Sequence, residues 1–330
     1  MIPYTPPRVV TELPVIDLRS AGCAADMRRA CIDTGFFYVV NHGVAEATVE
    51  AAFLASRALF DLPQAEKLTL LQAKSPAKRG YEPPGTQILD DGSPADHKES
   101  FRYGPDPGPS HPYALRRLPT YGPSQWPASL PGIVSPLMAY IGAVTSLGNR
   151  ILVGLAESLD LPPDYFLAFY GQPMATVRLL RYPPQPAVGS NLLGAGAHTD
   201  WGGITLLAQD DVGGLEVRNV AGEWIAGPPL KGSFVINIGE MMARWTNGRY
   251  QSNMHRVRNN SGAVDRYSMA CFYDPEYDSR IECLPSCLVQ GEAPTHPPCT
   301  AGEHIAQMHA HTTGARTASP ASPSLTRQVP

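Results

Sequence analysis

The chain has 330 residues, of which 43% are hydrophobic and 17% charged, and its formal net charge is −4. This composition is typical of a globular protein with enough apolar material for a sizeable core. No basic block is present, which argues against a nucleic acid or an anionic membrane surface as partner. Charged residues interrupt the longest apolar stretch, and the N-terminus lacks the pattern of a signal peptide, so we predict a cytoplasmic protein. The six scattered cysteines are expected to be free thiols, and the sequence carries no signature of oligomeric state.

The first part of the chain predicts helices and loops. A strand is expected at residues 13–18, helices at 24–34 and 45–62, and a loop-rich stretch at 74–131, where Pro, Gly, Asp and Ser are frequent. A long helix is then predicted to begin at Ser135-Pro136, because proline is favoured at the first helical position. Apolar residues recur at helical spacing as far as Leu159, so one face of this helix should pack on a core.

From about residue 174 the pattern changes to short apolar or alternating segments separated by glycines and prolines. Such spacing is typical of an antiparallel sandwich or barrel such as a jelly roll. We therefore predict an all-β core with flanking helices (α+β), divided into an N-terminal helical region at 1–130, a core with its leading helix at 131–311 and a disordered tail at 312–330. His304, His309 and His311 are expected at a solvated helix end. The predicted strands are 176–182, 195–200, 204–209, 215–219, 233–238, 252–257 and 266–273.

Three residues on two predicted strands form a candidate metal site. His198 and Asp200 lie two apart on one strand, so their side chains share a face. His255, on another predicted strand, is the candidate third ligand. Two histidines and one carboxylate leave open positions on a metal, an arrangement that non-haem Fe(II) oxygenases use for O2 and a chelating 2-oxo acid.

An arginine and a serine beyond the third ligand predict an anion site. Arg266 and Ser268 are two apart on a predicted strand and share a face. A guanidinium binds a carboxylate through two parallel hydrogen bonds, and a neighbouring hydroxyl adds a third. This pair is what the distal carboxylate of 2-oxoglutarate would require while its keto-acid end chelates the metal.

The order of the motifs from about Leu13 to His304 resembles that of the isopenicillin N synthase-like family of 2-oxoglutarate/Fe(II)-dependent dioxygenases. Many plant members carry Asn at the position of Leu180, so one contact to the cosubstrate differs here. The matching segments are 33–44 (DTGFFYVVNHGV), 79–81 (RGY), 98–101 (KESF), 178–184 (RLLRYPP), 197–200 (AHTD), 213–217 (GGLEV), 246–248 (TNG), 252–257 (SNMHRV) and 266–268 (RYS).

The resemblance implies a double-stranded β-helix (jelly roll), with iron on His198, Asp200 and His255. It implies 2-oxoglutarate on Arg266 and Ser268, with the Tyr182 hydroxyl as a further contact. The expected reaction consumes O2 and 2-oxoglutarate, releases succinate and CO2, and oxidises a small-molecule metabolite by hydroxylation, desaturation or ring closure. Candidate substrate contacts are Trp201, Phe101, Tyr103, Tyr81, Asn191 and Phe272.

Three alternatives remain open at the level of the sequence. An oxidase of the same family would carry the same Arg-x-Ser motif without using 2-oxoglutarate. A jelly-roll binding protein would have no need for open metal positions. A zinc hydrolase could also use two histidines and a carboxylate, but it gives no reason for Arg266 and Ser268.

Overall fold

The computed structural model describes residues 4–86, 96–184, 193–258, 264–288 and 291–314, with side chains of the last helix described to residue 310. The helices are α1 (Cys23–Asp33), α2 (Glu46–Phe60), α3 (Gln64–Lys67), α4 (Pro112–Leu115), α5 (Val134–Ser158), α6 (Glu240–Trp245) and α7 (Ala301–Gly314). The strands are β1 (Val15–Asp17), β2 (Phe36–Val40), β3 (Gly80–Glu82), β4 (Glu99–Tyr103), β5 (Met174–Tyr182), β6 (Ala195–His198), β7 (Ile204–Gln209), β8 (Leu215–Arg218), β9 (Trp224–Ala226), β10 (Phe234–Ile238), β11 (His255–Val257), β12 (Arg266–Asp274), β13 (Arg280–Ile281) and β14 (Cys299–Thr300).

Two mainly antiparallel sheets form the core. The larger has the strand order β1-β2-β10-β7-β12-β5-β4-β3, and the smaller has the order β6-β11-β8-β9. Their facing sides share apolar clusters, one joining Val217 to Phe36 and another joining Val257 to Leu180. Long-range antiparallel pairing within each of two packed sheets confirms the predicted double-stranded β-helix, or jelly roll.

Successive residues of each strand point to opposite sides of the larger sheet. The side that faces the smaller sheet is called the inner face, and the other is called the outer face. Along β5, Arg178, Leu180 and Tyr182 lie on the inner face. Val177 and Leu179 lie on the outer face, inside the main apolar core that α1, α2 and α5 complete.

Helix α5 is the long helix that the apolar spacing predicts. Its inward side is buried, including Val144, Ile151 and Leu155. By length and composition alone α5 could cross a membrane. The charged residues that interrupt its apolar sequence therefore do not by themselves exclude a membrane span. Its buried side packs against α1, α2 and β12, as in the central helix of a globular core.

The stretch 74–131, predicted to be loop-rich, also contains three short elements that were not predicted, β3, β4 and α4. β4 pairs in register with β5, with Phe101 opposite Leu179. Such short strands depend on a distant partner for their stability and therefore leave only a weak local pattern. The six cysteines are free, as predicted. α7 runs two residues beyond 312, the predicted start of the tail, and residues 315–330 lie outside the described ranges.

Candidate metal centre

Three side chains from β6, β11 and the segment after β6 converge on the inner face. His198 and His255 are paired in register across β6 and β11, and their ring centroids lie 4.2 Å apart. Asp200 follows β6, and its Oδ1 lies 3.9 Å from Nε2 of His255. One donor atom from each of the three lies within 4.8 Å of the others, close enough for all three to reach one ion.

Two polar residues of the larger sheet fix the Asp200 carboxylate. Its Oδ2 accepts hydrogen bonds from Thr205 Oγ1 (2.6 Å) and Asn237 Nδ2 (2.7 Å). Oδ1 is therefore left to face the two histidines. Burial by itself raises the pKa of Asp200, but the histidines and these hydrogen bonds outweigh it, so the pKa lies below its usual value and the carboxylate stays charged.

The imidazoles present their Nε2 atoms to the site. Nδ1 of His198 donates to the carbonyl of Gly196 (2.7 Å), which fixes the tautomer and leaves Nε2 with a free lone pair. Burial, followed by the nearby His255, lowers the pKa of His198, so the ring is neutral as a metal ligand must be. Nδ1 of His255 is buried with no hydrogen-bond partner in the described part of the chain.

A close backbone contact positions the segment that carries Asp200. The amide of Gly203 donates to Asp274 Oδ1 (2.9 Å). A Cβ on Gly202 would lie 1.7 Å from the same oxygen, so only glycine fits at that position. The Gly202-Gly203 pair thus holds the loop against β12.

The predicted anion site lies on the same inner face. Arg266 and Ser268 are each 1% exposed. The guanidinium donates weakly to Ser268 Oγ (3.4 Å) and to Gln209 Oε1 (3.1 Å), while its Nε is buried without a partner. Among the described residues no carboxylate pairs with Arg266. A buried, unpaired guanidinium is costly, so the donor set suits an anionic ligand.

Tyr182, the further cosubstrate contact that the resemblance implies, lies beside Arg266. It is paired in register with Arg266, and the guanidinium lies 4.7 Å from the centre of its ring. This cation–π contact orients the arginine. Leu180, the departure from the plant pattern, adds an apolar side chain beside Ala270.

The predicted substrate contacts divide into two groups. Tyr81, Phe101 and Tyr103 are almost fully buried in the main core on the outer face, away from the metal ligands, so we do not retain them as substrate contacts. Phe272 is half-buried on the inner face, paired in register with Thr205. Asn191 lies outside the described residues.

Trp201 is half-buried and is held by α7. Its carbonyl accepts a hydrogen bond from His304 Nε2 (2.9 Å), and its ring contacts that of His309 edge-on at 5.0 Å. The expectation of a solvated helix end is therefore wrong for His304, which is 2% exposed. The side chain of His311 is not among those described.

Sequence reasoning missed two groups of inner-face residues. Thr205 and Asn237, which bind Asp200, are single polar residues inside apolar strands, and that break in the pattern was the available signal. The sequence also did not predict that a group of charged residues would gather next to the metal site, although some of them belong to the matched motifs. The members of this charged cluster are Glu82, Asp96, Lys98, Ser100, Arg102 and Arg178.

Comparison with known proteins assigns the chain to a family. Residues 13–129 match the model for the N-terminal region of non-haem dioxygenases in morphine synthesis, and residues 167–275 match the 2OG-Fe(II) oxygenase superfamily. The 2-oxoglutarate-Fe(II) type oxidoreductase hxnY of Emericella nidulans is 37% identical over 285 residues, covering 84% of this chain and 81% of the relative. This chain belongs to the 2-oxoglutarate/Fe(II)-dependent dioxygenases.

Two further relatives agree with the assignment of this chain to the dioxygenase family. Homoarginine-6-hydroxylase 2-ODD-233 of Oryza sativa is 36% identical, covering 84% of this chain and 85% of the relative. The crystal structure of a full-length Neurospora crassa protein in complex with alpha-KG superposes with a TM-score of 0.81 at 28% identity, covering 91% of this chain and 96% of the other. The enzyme is an oxidoreductase that uses Fe(II), 2-oxoglutarate and O2.

Proposed function

We propose that His198, Asp200 and His255 hold Fe(II), and that Arg266 and Ser268 bind the distal carboxylate of 2-oxoglutarate. The observation that carries this proposal is the combination of three convergent donors with a buried guanidinium that has no carboxylate partner in the described chain. Tyr182 orients that guanidinium and lies close enough to border the cosubstrate.

The protein's own residues bind and orient the metal and the cosubstrate, and they exclude water from the site. His198, Asp200 and His255 would hold Fe(II), and a set of three protein donors would leave coordination positions for 2-oxoglutarate and O2. When bound, iron and cosubstrate would supply the oxidising chemistry, with one oxygen atom of O2 going to succinate, the other to the substrate, and CO2 released. Thr205 and Asn237 keep Asp200 ionised and fixed, while Leu180 and Ala270 contribute an apolar patch to the inner face.

We infer that the substrate is a small molecule that is hydroxylated beside Phe272 and Trp201. A complex of the same Neurospora crassa protein with alpha-KG and thymine supports a small-molecule ligand in this fold. Desaturation and ring closure are variants of the same oxidation. A cytoplasmic location and the absence of nucleic-acid or membrane partners remain predictions from composition.

The test is an anaerobic titration followed by visible spectroscopy. Fe(II) is added to the metal-free protein, and 2-oxoglutarate is added next. We expect a weak metal-to-ligand absorption band only when both are present, followed in air by succinate formation. Bound iron without such a band would contradict the cosubstrate assignment and favour a 2-oxoglutarate-independent oxidase. Iron that never binds would contradict the metal centre.

A further inference from the structure

The charged cluster on the inner face adjoins the proposed iron site. The amide of Gly196, two residues before His198, donates to Asp96 Oδ1 (2.8 Å), and Asp96 also pairs with Lys98. Glu82, Thr86, Asp96, Lys98, Ser100 and Arg178 lie together around a closed polar crevice. Through Asp96 this cluster adjoins the strand that carries His198.

The two carboxylates of this cluster are already engaged. Glu82 Oε2 accepts from Arg178 (2.7 Å) and from Ser100 Oγ (2.8 Å), and Asp96 pairs with Lys98. Among the described residues of the cluster, three cations therefore face two carboxylates, and Arg102 is the cation that makes no hydrogen bond to either of them. Its Nε lies 3.5 Å from Glu82 Oε2 and is buried without a hydrogen bond in the described chain.

The side chain of Arg102 lies on the inner face of the larger sheet, which also carries Arg266 and Ser268. A row of paired residues crosses the inner face from Arg102 through Arg178 and Ala270 to Leu207. Leu207 is two residues from Thr205, which binds Asp200. About three strand spacings, roughly 14 Å, separate Arg102 from β7. The long arginine side chain shortens the gap that a small molecule would fill. Trp201 follows the metal-site residue Asp200 directly and contacts His304 and His309 of α7, so α7 lies close to the metal-binding residues.

We propose that Arg102 binds a carboxylate of the substrate, so that this enzyme oxidises a small organic acid. The inference rests on the proposed function, because it places the acid between Arg102 and the iron. A half-buried guanidinium that lies beside a second arginine, and whose Nε makes no hydrogen bond in the described chain, favours a carboxylate over a neutral polar group. Phe272 and Trp201 provide apolar surface for the rest of the molecule.

The experiment uses the full-length protein loaded anaerobically with Fe(II) and 2-oxoglutarate. The probes are benzoate, phenylacetate and hexanoate, each matched with its primary amide. Probe binding is measured as a shift of the metal-to-ligand band, and succinate release is then measured in air. We expect at least one acid to bind about tenfold or more tightly than its amide.

Three variants separate recognition from structural damage. Arg102→Gln should weaken binding of the acid by about 10- to 100-fold and change binding of the amide little, because only the charged contact is lost. Arg102→Lys keeps the charge but loses the paired donors, so its affinity for the acid should lie between those of the wild type and Arg102→Gln. Arg280→Gln, an exposed arginine paired with Glu282, is the matched control and should leave both affinities unchanged.

Several results would overturn the proposal. They are equal binding of acids and amides, no binding of any acid in the panel, and an equal loss of both ligand classes in Arg102→Gln. In each case the 2-oxoglutarate band of the wild-type enzyme would still be present, and the proposed function would stand. A missing band in the wild type would instead mean that the proposed function itself has failed.

Discussion

Two arginines on neighbouring strands, Arg181 and Arg266, show how the faces of the larger sheet differ. Arg181 on β5 lies on the outer side and pairs with Asp265 (2.6 Å), Glu99 (3.2 Å) and, more distantly, Asp61. Arg266 on β12 points inward, is 1% exposed and has no carboxylate partner among the described residues. The charge of Arg181 is therefore neutralised within the fold, whereas that of Arg266 is not neutralised by any described carboxylate, which is why we propose Arg266 as a ligand-binding residue.

The largest effect should follow removal of a metal ligand on the inner face. Asp200→Ala or His198→Ala is expected to abolish iron binding and turnover, because two remaining donors cannot hold the ion in place. Iron content after dialysis and succinate release measure this. Asp265→Asn, which removes a carboxylate only from the outer side, is the control and should retain iron. Wild-type turnover in either ligand variant would show that the iron lies elsewhere.

The comparison of the two arginines gives the second prediction. Arg266→Ala should weaken 2-oxoglutarate binding by about 100-fold while iron binding persists, since loss of a buried charge partner costs about 2–5 kcal/mol. Arg181→Gln should leave 2-oxoglutarate binding unchanged and cost at most about 1 kcal/mol of stability, because its pairs are partly exposed. Titration of the visible band measures both variants. Unchanged cosubstrate affinity in Arg266→Ala would mean that this guanidinium is structural.

Two phenylalanines extend the comparison to substrate binding. Phe101 is fully buried on the outer face, so Phe101→Ala should cost about 3–5 kcal/mol of unfolding free energy. Phe272 is half-buried on the inner face, so Phe272→Ala should cost less stability but lower kcat/KM for the substrate. Denaturant unfolding and succinate release distinguish the two. If Phe101→Ala remained folded and lost substrate selectively, the assignment of faces would be wrong.

The division into faces also explains what could be predicted from the sequence. Strand periodicity put His198 with Asp200 and Arg266 with Ser268, because residues two apart share a face whatever the partner strand. It could not place Phe101 or Tyr103, since β4 acquires its orientation only by pairing with β5, more than seventy residues later. Arg102 was missed for the same reason: its surplus charge is visible only after Glu82 and Asp96 have found their partners.

The smallest effect concerns the pH dependence of stability at the charged cluster. Burial alone would raise the pKa of Glu82, but Arg178, Arg102 and the Ser100 hydroxyl lower it from 4.5 to about 2. A lowered carboxyl pKa stabilises the fold above about pH 4.5, and that contribution disappears as the pH falls toward about 2. The stability difference between the wild type and Glu82→Gln should therefore shrink across this window in denaturant unfolding. If the stability difference stayed constant with pH, Glu82 would not form the ion pairs described for the charged cluster. The assignment of Arg102 as the cation without a hydrogen-bonded carboxylate would then be wrong.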